Sequence, residues 1–436
     1  MWSRPRPAPL YVLGLLAIAA GVAIGFIGGV FRWLLVQAVI VRDALATWAH
    51  TVPFGWILMI AFGVAGAAFA AALVLFSPRS AGSGIQDVEA VHGGRLPLPP
   101  PSVIPVRFFG GLASIGSGMV LGREGPTVHM GAALGASAAR IARLQDDDVR
   151  GLHTSMSGAG LAVAFNAPVG GAVFVLEEVA KTARFRLIVP TVFGVAAAIV
   201  CSRIVLGDHP DFAVGHVPDP PLYTLPMFLV FGVVIGLAGA LYNWLVLRLV
   251  AVHGRMSRVP TPVRAGALGG LIGILLYADP LMVGGGDAVA QLLLAGRSFA
   301  LPLLVLYFAV RFVVGPISYA AGTPGGLFAP MLALGALAGT AFGQLVQLLA
   351  PQLDTDFLIA MAIVGMSALF AASVRAPLTG IALIIEMTAV TTVTVPMLLA
   401  AGAAVVTAML VKSPPVYDSL REAFLRSHPT TPPPPT

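Results

Sequence analysis

Glu124 stands between two glycines in Gly122-Arg-Glu-Gly-Pro126, with apolar sequence of membrane length on either side. A carboxylate in such a stretch costs about 2.5–3.5 kcal/mol on insertion scales, so it must be paired, face water or serve a function. Pro126 suits the first turn of a helix, where no N–H partner is needed. Arg123 and Gly125 before it then present free main-chain amides. Together with a helix macrodipole worth about half a positive charge, such amides make an anion site that needs no buried Lys or Arg. Gly326-Leu-Phe-Ala-Pro330 has the same form, and Gly82-Ser-Gly-Ile85 opens a third helix start, bringing Gly84, Ile85 and the hydroxyl of Ser83. An ionised Glu124 can occupy the place of a bound anion and leave it on protonation, which links anion and proton. A salt bridge to Arg123 is the plainer alternative.

A second acidic point, Glu177-Glu178, sits at an apolar helix end beside Lys181 and Arg184, and a structural ion pair is an equal reading for at least one of the two. Glu386 repeats Glu177 in the second half, where capping or pairing inside a bundle is the better expectation. Other chemistry finds little support. The eight histidines form no HExxH, and there is no Walker or GxSxG motif, so neither an enzyme, a metal site nor a cofactor is expected. Gly284-Gly-Gly286-Asp287 reads as a turn. The single cysteine, Cys201, lies in an apolar run and reads as packing.

The elements that must hold these residues are membrane helices. Of 436 residues 58% are apolar and 10% charged, against about 25% charged in a soluble domain. Long uncharged stretches such as Leu10 to Phe31, Val52 to Phe76 and Leu225 to Leu247 approach or exceed the roughly 20 residues of a spanning helix. The first run exceeds a signal peptide's apolar region and lacks a small-residue cleavage site, so it reads as the first span. The net charge of +6 sits in short loops and reports topology rather than a nucleic-acid partner. Basic residues gather at Arg4 and Arg6, at Lys181 to Arg186 and between Arg248 and Arg264, whereas Gly207 to Pro221 carries three aspartates and no Lys or Arg. The positive-inside rule makes the former cytoplasmic and the latter external.

The chain also reads as doubled. Gly326 to Pro330, with Gly335 and Gly339, follows Gly122 to Pro126, with Gly131 and Gly135, at an offset of 204; Ala376-Pro377 with Gly380 and Glu386 follows Ala167-Pro168 with Gly171 and Glu177 at 209. The expected division is a cytoplasmic segment 1–9, a first membrane repeat 10–206, an external linker 207–222, a second repeat 223–412, and a C-terminal helix with a disordered, proline-rich tail over 413–436. With both termini cytoplasmic each repeat crosses the membrane an odd number of times, so the repeats are inverted. Gly and Pro interrupt them in corresponding places. Broken backbone persists in hydrocarbon only where protein or water satisfies it, which makes the breaks candidates to line a site.

On these residues the chain resembles the CLC family of chloride channels and proton-coupled chloride antiporters, from about Gly14 to Tyr417. The carrying segments are Gly82 to Ile85, Gly122 to Pro126, Ala164-Phe-Asn-Ala-Pro168, Gly326 to Pro330, Arg375-Ala-Pro377 and the late Tyr417. The resemblance implies an all-α integral membrane protein of two inverted repeats, with tilted and broken helices. It implies Ser83 and Tyr417 hydroxyls on a central anion, amides near Leu327 and Phe328 completing its shell, Glu124 as external gate and Glu178 as internal proton-transfer acid. It further implies a homodimer in the cell's inner membrane. Channel members usually carry an apolar residue where Glu178 stands, so exchange of chloride for protons is expected before passive conduction. A cation-coupled carrier of an organic solute, the remaining reading, would need cation ligands and a roomy pocket. One position departs from the family: Gln86 stands where proline usually ends the first motif, which bears on anion selectivity.

Overall fold

A computed structural model describes residues 7–256 and 258–427. The expected tail and the basic residues Arg4 and Arg6 fall outside these. The described residues form α1 (Leu10–Ala49), α2 (Gly55–Val74), α3 (Ile85–His92), α4 (Val103–Gly116), α5 (Glu124–Ile141), α6 (Asp146–Phe165), α7 (Pro168–Phe174), α8 (Phe185–Leu206), α9 (Leu225–Arg255), α10 (Thr261–Ala278), α11 (Asp287–Leu294), α12 (Leu301–Ala320), α13 (Phe328–Leu349), α14 (Thr355–Val374), α15 (Pro377–Thr388), α16 (Thr394–Leu410) and α17 (Val416–Ser427). Two isolated bridges, Gly82 with Pro324 and Gly122 with Gly326, are the β-type pairing among them.

Eight of these segments are long and apolar enough to cross a membrane. Their lengths are far from uniform, and physics gives the consequence. The 40 residues of α1 extend about 60 Å at the helical rise, twice the hydrocarbon core, so α1 lies strongly tilted. The eight residues of α3 and of α11 reach only about 12 Å. Such stubs begin or end inside the protein, where protein groups must satisfy their termini.

The doubling read from sequence is present in the packing. Helix α1 lies on α8 as α9 lies on α16; α5 on α6 as α13 on α14; α6 on α8 as α14 on α16. Two further contacts join the halves through equivalent helices, α2 with α10 and α7 with α15. At the former, a Cβ on Gly63 would stand 2.1 Å from the Gly269 carbonyl, and one on Gly269 2.1 Å from that of Gly63. Backbones approach this closely only through glycine, the usual device of packing in lipid. Helices α6 and α14 end alike, on Asn166 and Arg375 in the left-handed region at φ 48° and 74°. The core runs through α14, whose apolar window is 94% buried; a helix apolar all round belongs inside a bundle.

The repeated glutamates lock the second junction. Glu177 accepts the N–H groups of Leu378 (3.1 Å) and Thr379 (2.6 Å) and the Thr379 hydroxyl (2.7 Å). Glu386 accepts those of Val169 (2.9 Å) and Gly170 (2.8 Å). Each half thus caps the short helix of the other, answering orphan amides with negative charge at the positive end of the helix. Glu177 is therefore a cap and not the partner of Lys181, which pairs with Asp418 at 3.0 Å.

Candidate anion site

Three helix starts meet at the centre of the fold. Gly122 and Gly326 exchange main-chain hydrogen bonds of 2.8 and 2.9 Å, setting α5 and α13 nose to nose, and Gly325 donates to the Gly82 carbonyl at 3.2 Å, adding the turn before α3. The prolines lie within the first turns, because α5 begins at Glu124 and α13 at Phe328, two residues ahead of Pro126 and Pro330. Gly82 and Gly84 hold φ of +62° and +84°, a region that favours glycine. Gly125 is constrained by space: a Cβ there would lie 2.6 Å from the Ser83 carbonyl.

Buried arginines pin the turns. Arg107 is fully buried and donates to the Gly82 carbonyl and, at 3.3 Å each, to those of Arg79 and Ala81. Its counterpart 204 positions on, Arg311, donates at 2.8 Å to the carbonyls of Leu281, Val283 and Gly284. The segment Gly284 to Gly286, read as a plain turn, is thus the second-half equivalent of Gly82 to Gly84, with Gly284 and Gly286 also at positive φ. A shared Gly-x-Gly spacing before a short helix was the available signal.

Within this frame the Glu124 carboxylate is fully buried, and one oxygen accepts the Phe328 N–H at 2.7 Å. Its other oxygen has no partner, nor do the buried hydroxyls of Ser83 and Tyr417. The Tyr417 ring packs on Phe328 with centroids 5.5 Å apart, and Phe174 and Phe370 wall the Phe328 ring at 5.9 and 4.6 Å. Unpartnered buried polar groups are costly. Here they converge, with a helix-start amide, inside an apolar wall. That donor set fits a small anion, and the carboxylate already on the Phe328 amide is itself an anion in such a place.

The structure therefore brings together Ser83, Glu124, Gly125, Phe328 and Tyr417, with Gly84, Ile85 and Leu327 as their neighbours along the chain. The Arg123 side chain stands apart from this shell. Its guanidinium donates to Asp211 (2.6 Å), Asp287 (3.3 Å) and the Ala164 carbonyl (2.8 Å). It thereby lines a cavity of about 340 Å³ with Arg32, Gly122, Asp211 and Asp287. The Arg123 side chain belongs to this cavity, and the salt bridge to Glu124 that the sequence left open is replaced by the two aspartates. They lie 88 and 164 positions away, and local spacing gave no sign of them.

Glu178 occupies a one-turn π-helix, Val175–Val179, that continues α7. It is 2% exposed and faces Glu89 of α3, itself 3% exposed and held by Arg421 of α17 at 2.9 Å. Sequence reasoning missed Glu89. An acid one helical turn after Ile85, on the same face, was the clue.

Fold and site together define a multi-pass membrane protein with helix N-termini opposed at its centre. The family model described as "Voltage gated chloride channel" matches residues 65–409. The chain is 37% identical over 425 residues to the H(+)/Cl(-) exchange transporter ClcA of Cronobacter sakazakii, covering 94% of this chain and 89% of that protein. It is 38% identical over 432 residues to the protein of the same name in Vibrio vulnificus, at 96% and 91% coverage. Among solved structures, one titled as a slow cyanobacterial Cl-/H+ antiporter superposes with a TM-score of 0.90 at 30% identity, over 98% of this chain and all of that one. The chain belongs to the CLC family of voltage-gated chloride channels and their transporter relatives.

Proposed function

We propose that this protein carries chloride across the membrane in exchange for protons, by secondary active transport. One observation carries the reading: the Glu124 carboxylate rests on the Phe328 amide at 2.7 Å, between the unpartnered Ser83 and Tyr417 hydroxyls. Ionised, it fills the anion's place; protonated, it releases the amide to chloride. The relatives named for H(+)/Cl(-) exchange support the same substrates.

Glu124 serves the external mouth, formed with Asp211 of the loop between α8 and α9. Glu178 passes protons on the cytoplasmic side, where Lys181 pairs with α17 through Asp418. Ser83, Gly84, Ile85, Gly125, Leu327 and Phe328 supply the anion's shell with Tyr417, and Arg123 draws anions to the mouth. The repeats span residues 10–206 and 223–412, both termini face the cytoplasm, and the protein is a homodimer of the inner membrane. In sealed liposomes an imposed chloride gradient should drive protons uphill. Chloride flux without proton movement would instead establish a passive channel, a reading that leaves the buried Glu178 without a task.

A further inference from the structure

Tyr319, near the end of α12, is a residue that neither the anion shell nor the frame described above uses. Its side chain is 4% exposed, and its oxygen accepts the Ser83 N–H at 3.4 Å. Gln86, 6% exposed, reaches the same place: a Cβ on Gly82 would stand 3.1 Å from the Tyr319 oxygen and 3.4 Å from Gln86 Nε2. The Gln86 carboxamide nitrogen thus lies on the same side of the Gly82 turn as the phenol, and Gln86 Oε1 has no partner.

A phenol oxygen has two lone pairs and one proton. The Ser83 N–H takes one lone pair and Gln86 Nε2 stands beside the same turn, so the proton is turned away from the Ser83 amide. Among the described residues no protein acceptor takes it. Ser83 lies beside it, and Arg107, Glu124 and Tyr417 are within electrostatic reach.

We propose that Tyr319, oriented by Gln86, donates a third hydroxyl to the bound anion, in place of the Ser83 main-chain amide that it covers. The proposal rests on the reading of this site as a chloride seat. It deepens that reading by assigning a selectivity pair: Tyr319 reads the anion and Gln86, where the family usually has proline, positions it. An O–H donor favours small anions of concentrated charge, such as chloride, over diffuse ones such as thiocyanate.

The test is calorimetric titration of the purified full chain in detergent with chloride and with thiocyanate. Tyr319→Phe removes one oxygen and should weaken chloride binding about tenfold, the worth of one hydrogen bond to a charged group, with less than about threefold change for thiocyanate. Gln86→Leu should move chloride in the same direction by a smaller factor, since it frees the phenol without deleting it; it also serves if Tyr319→Phe fails to fold. Equal losses for both anions in the folded variants would mean a general packing role. Tighter chloride binding would mean that the uncovered Ser83 amide is the better ligand. Either result overturns the proposal. Absence of chloride binding in the unaltered protein would instead reject the chloride seat itself.

Discussion

Replacing Glu124 by glutamine tests the gate by removing charge while keeping shape. The carboxylate now holds the Phe328 N–H at 2.7 Å. A hydrogen bond to a charged acceptor contributes about 1.5–3 kcal/mol and a neutral one about 0.5–1.5, so the exchange weakens the gate's hold by about 1–1.5 kcal/mol. An anion competing for that amide should then bind about tenfold more tightly. Folding should not suffer, because the variant no longer buries a charge that costs about 2.5–3.5 kcal/mol in mid-membrane. The sign with pH follows: raising pH ionises Glu124, strengthens the competitor and weakens chloride binding in the unaltered protein, whereas Glu124→Gln should bind chloride equally across the range. Calorimetry reads the affinities, and paired chloride and pH electrodes on sealed liposomes read the fluxes. Chloride should still pass while uphill proton movement stops. Continued proton pumping by the variant, or an unchanged pH dependence of its chloride binding, would refute a gate that works by exchanging a carboxylate for the anion.

Glu178→Leu should abolish proton movement with chloride flux retained, read in the same vesicles; intact pumping would show that protons bypass the Glu89–Glu178 pair. Gly326→Ala places a Cβ 2.0 Å from the Glu124 carboxylate and should evict it, giving uncoupled chloride flux with the acid still present. Coupling as strong as in the unaltered protein would mean that the carboxylate does not rest on the Phe328 amide. Glu177→Ala and Glu386→Ala leave helix-start amides without acceptors, at about 1–3 kcal/mol for each group that remains dry. Both should lower the unfolding temperature in detergent, Glu177→Ala somewhat more because it also orphans the Thr379 hydroxyl. A pair of variants as stable as the parent would contradict reciprocal capping.

What the sequence disclosed and what it withheld divide along one line. Glycines and prolines at helix starts are local matters of backbone, and the start of α3 at Ile85 and the breaks around Pro126 and Pro330 are legible for that reason. The repeat was legible too, since Glu177 and Glu386 recur with their Ala-Pro pairs. Partners across the fold were not. Arg123 looked like the neighbour of Glu124 but turns to Asp211 and Asp287, and Glu177 and Lys181, four residues apart, go to different helices. Buried charges in a membrane protein are satisfied from whichever helix the tertiary packing brings close. Their sequence neighbours say little about that.

Gly284 to Gly286 is a turn, as read from the sequence, and its equivalence to Gly82 to Gly84 bears on how the two halves divide the work. Arg107 and Arg311 pin equivalent turns, and Glu177 and Glu386 cap equivalent helices, so the frame is kept in duplicate. The chemistry is not. Ser83 corresponds to Gly285, which has no hydroxyl, and Glu124 to Phe328, which has no charge. Two identical inverted halves would present the same gate to both sides of the membrane and could not distinguish them. With the acid on one helix start and the amide that it grips on the other, the frame supplies the fixed positive ends, and in the proposed mechanism the single carboxylate makes one side of the site sensitive to protons. The proposed mechanism assigns the opposite side to a second acid, Glu178, and here too the repeats differ: the duplicated half has the capping Glu386 at the position corresponding to Glu177 and a methionine, Met387, at that corresponding to Glu178. In the exchange mechanism proposed above, proton coupling and the Ser83 hydroxyl thus belong to places where the repeats diverge, while the opposed helix starts belong to the frame they share.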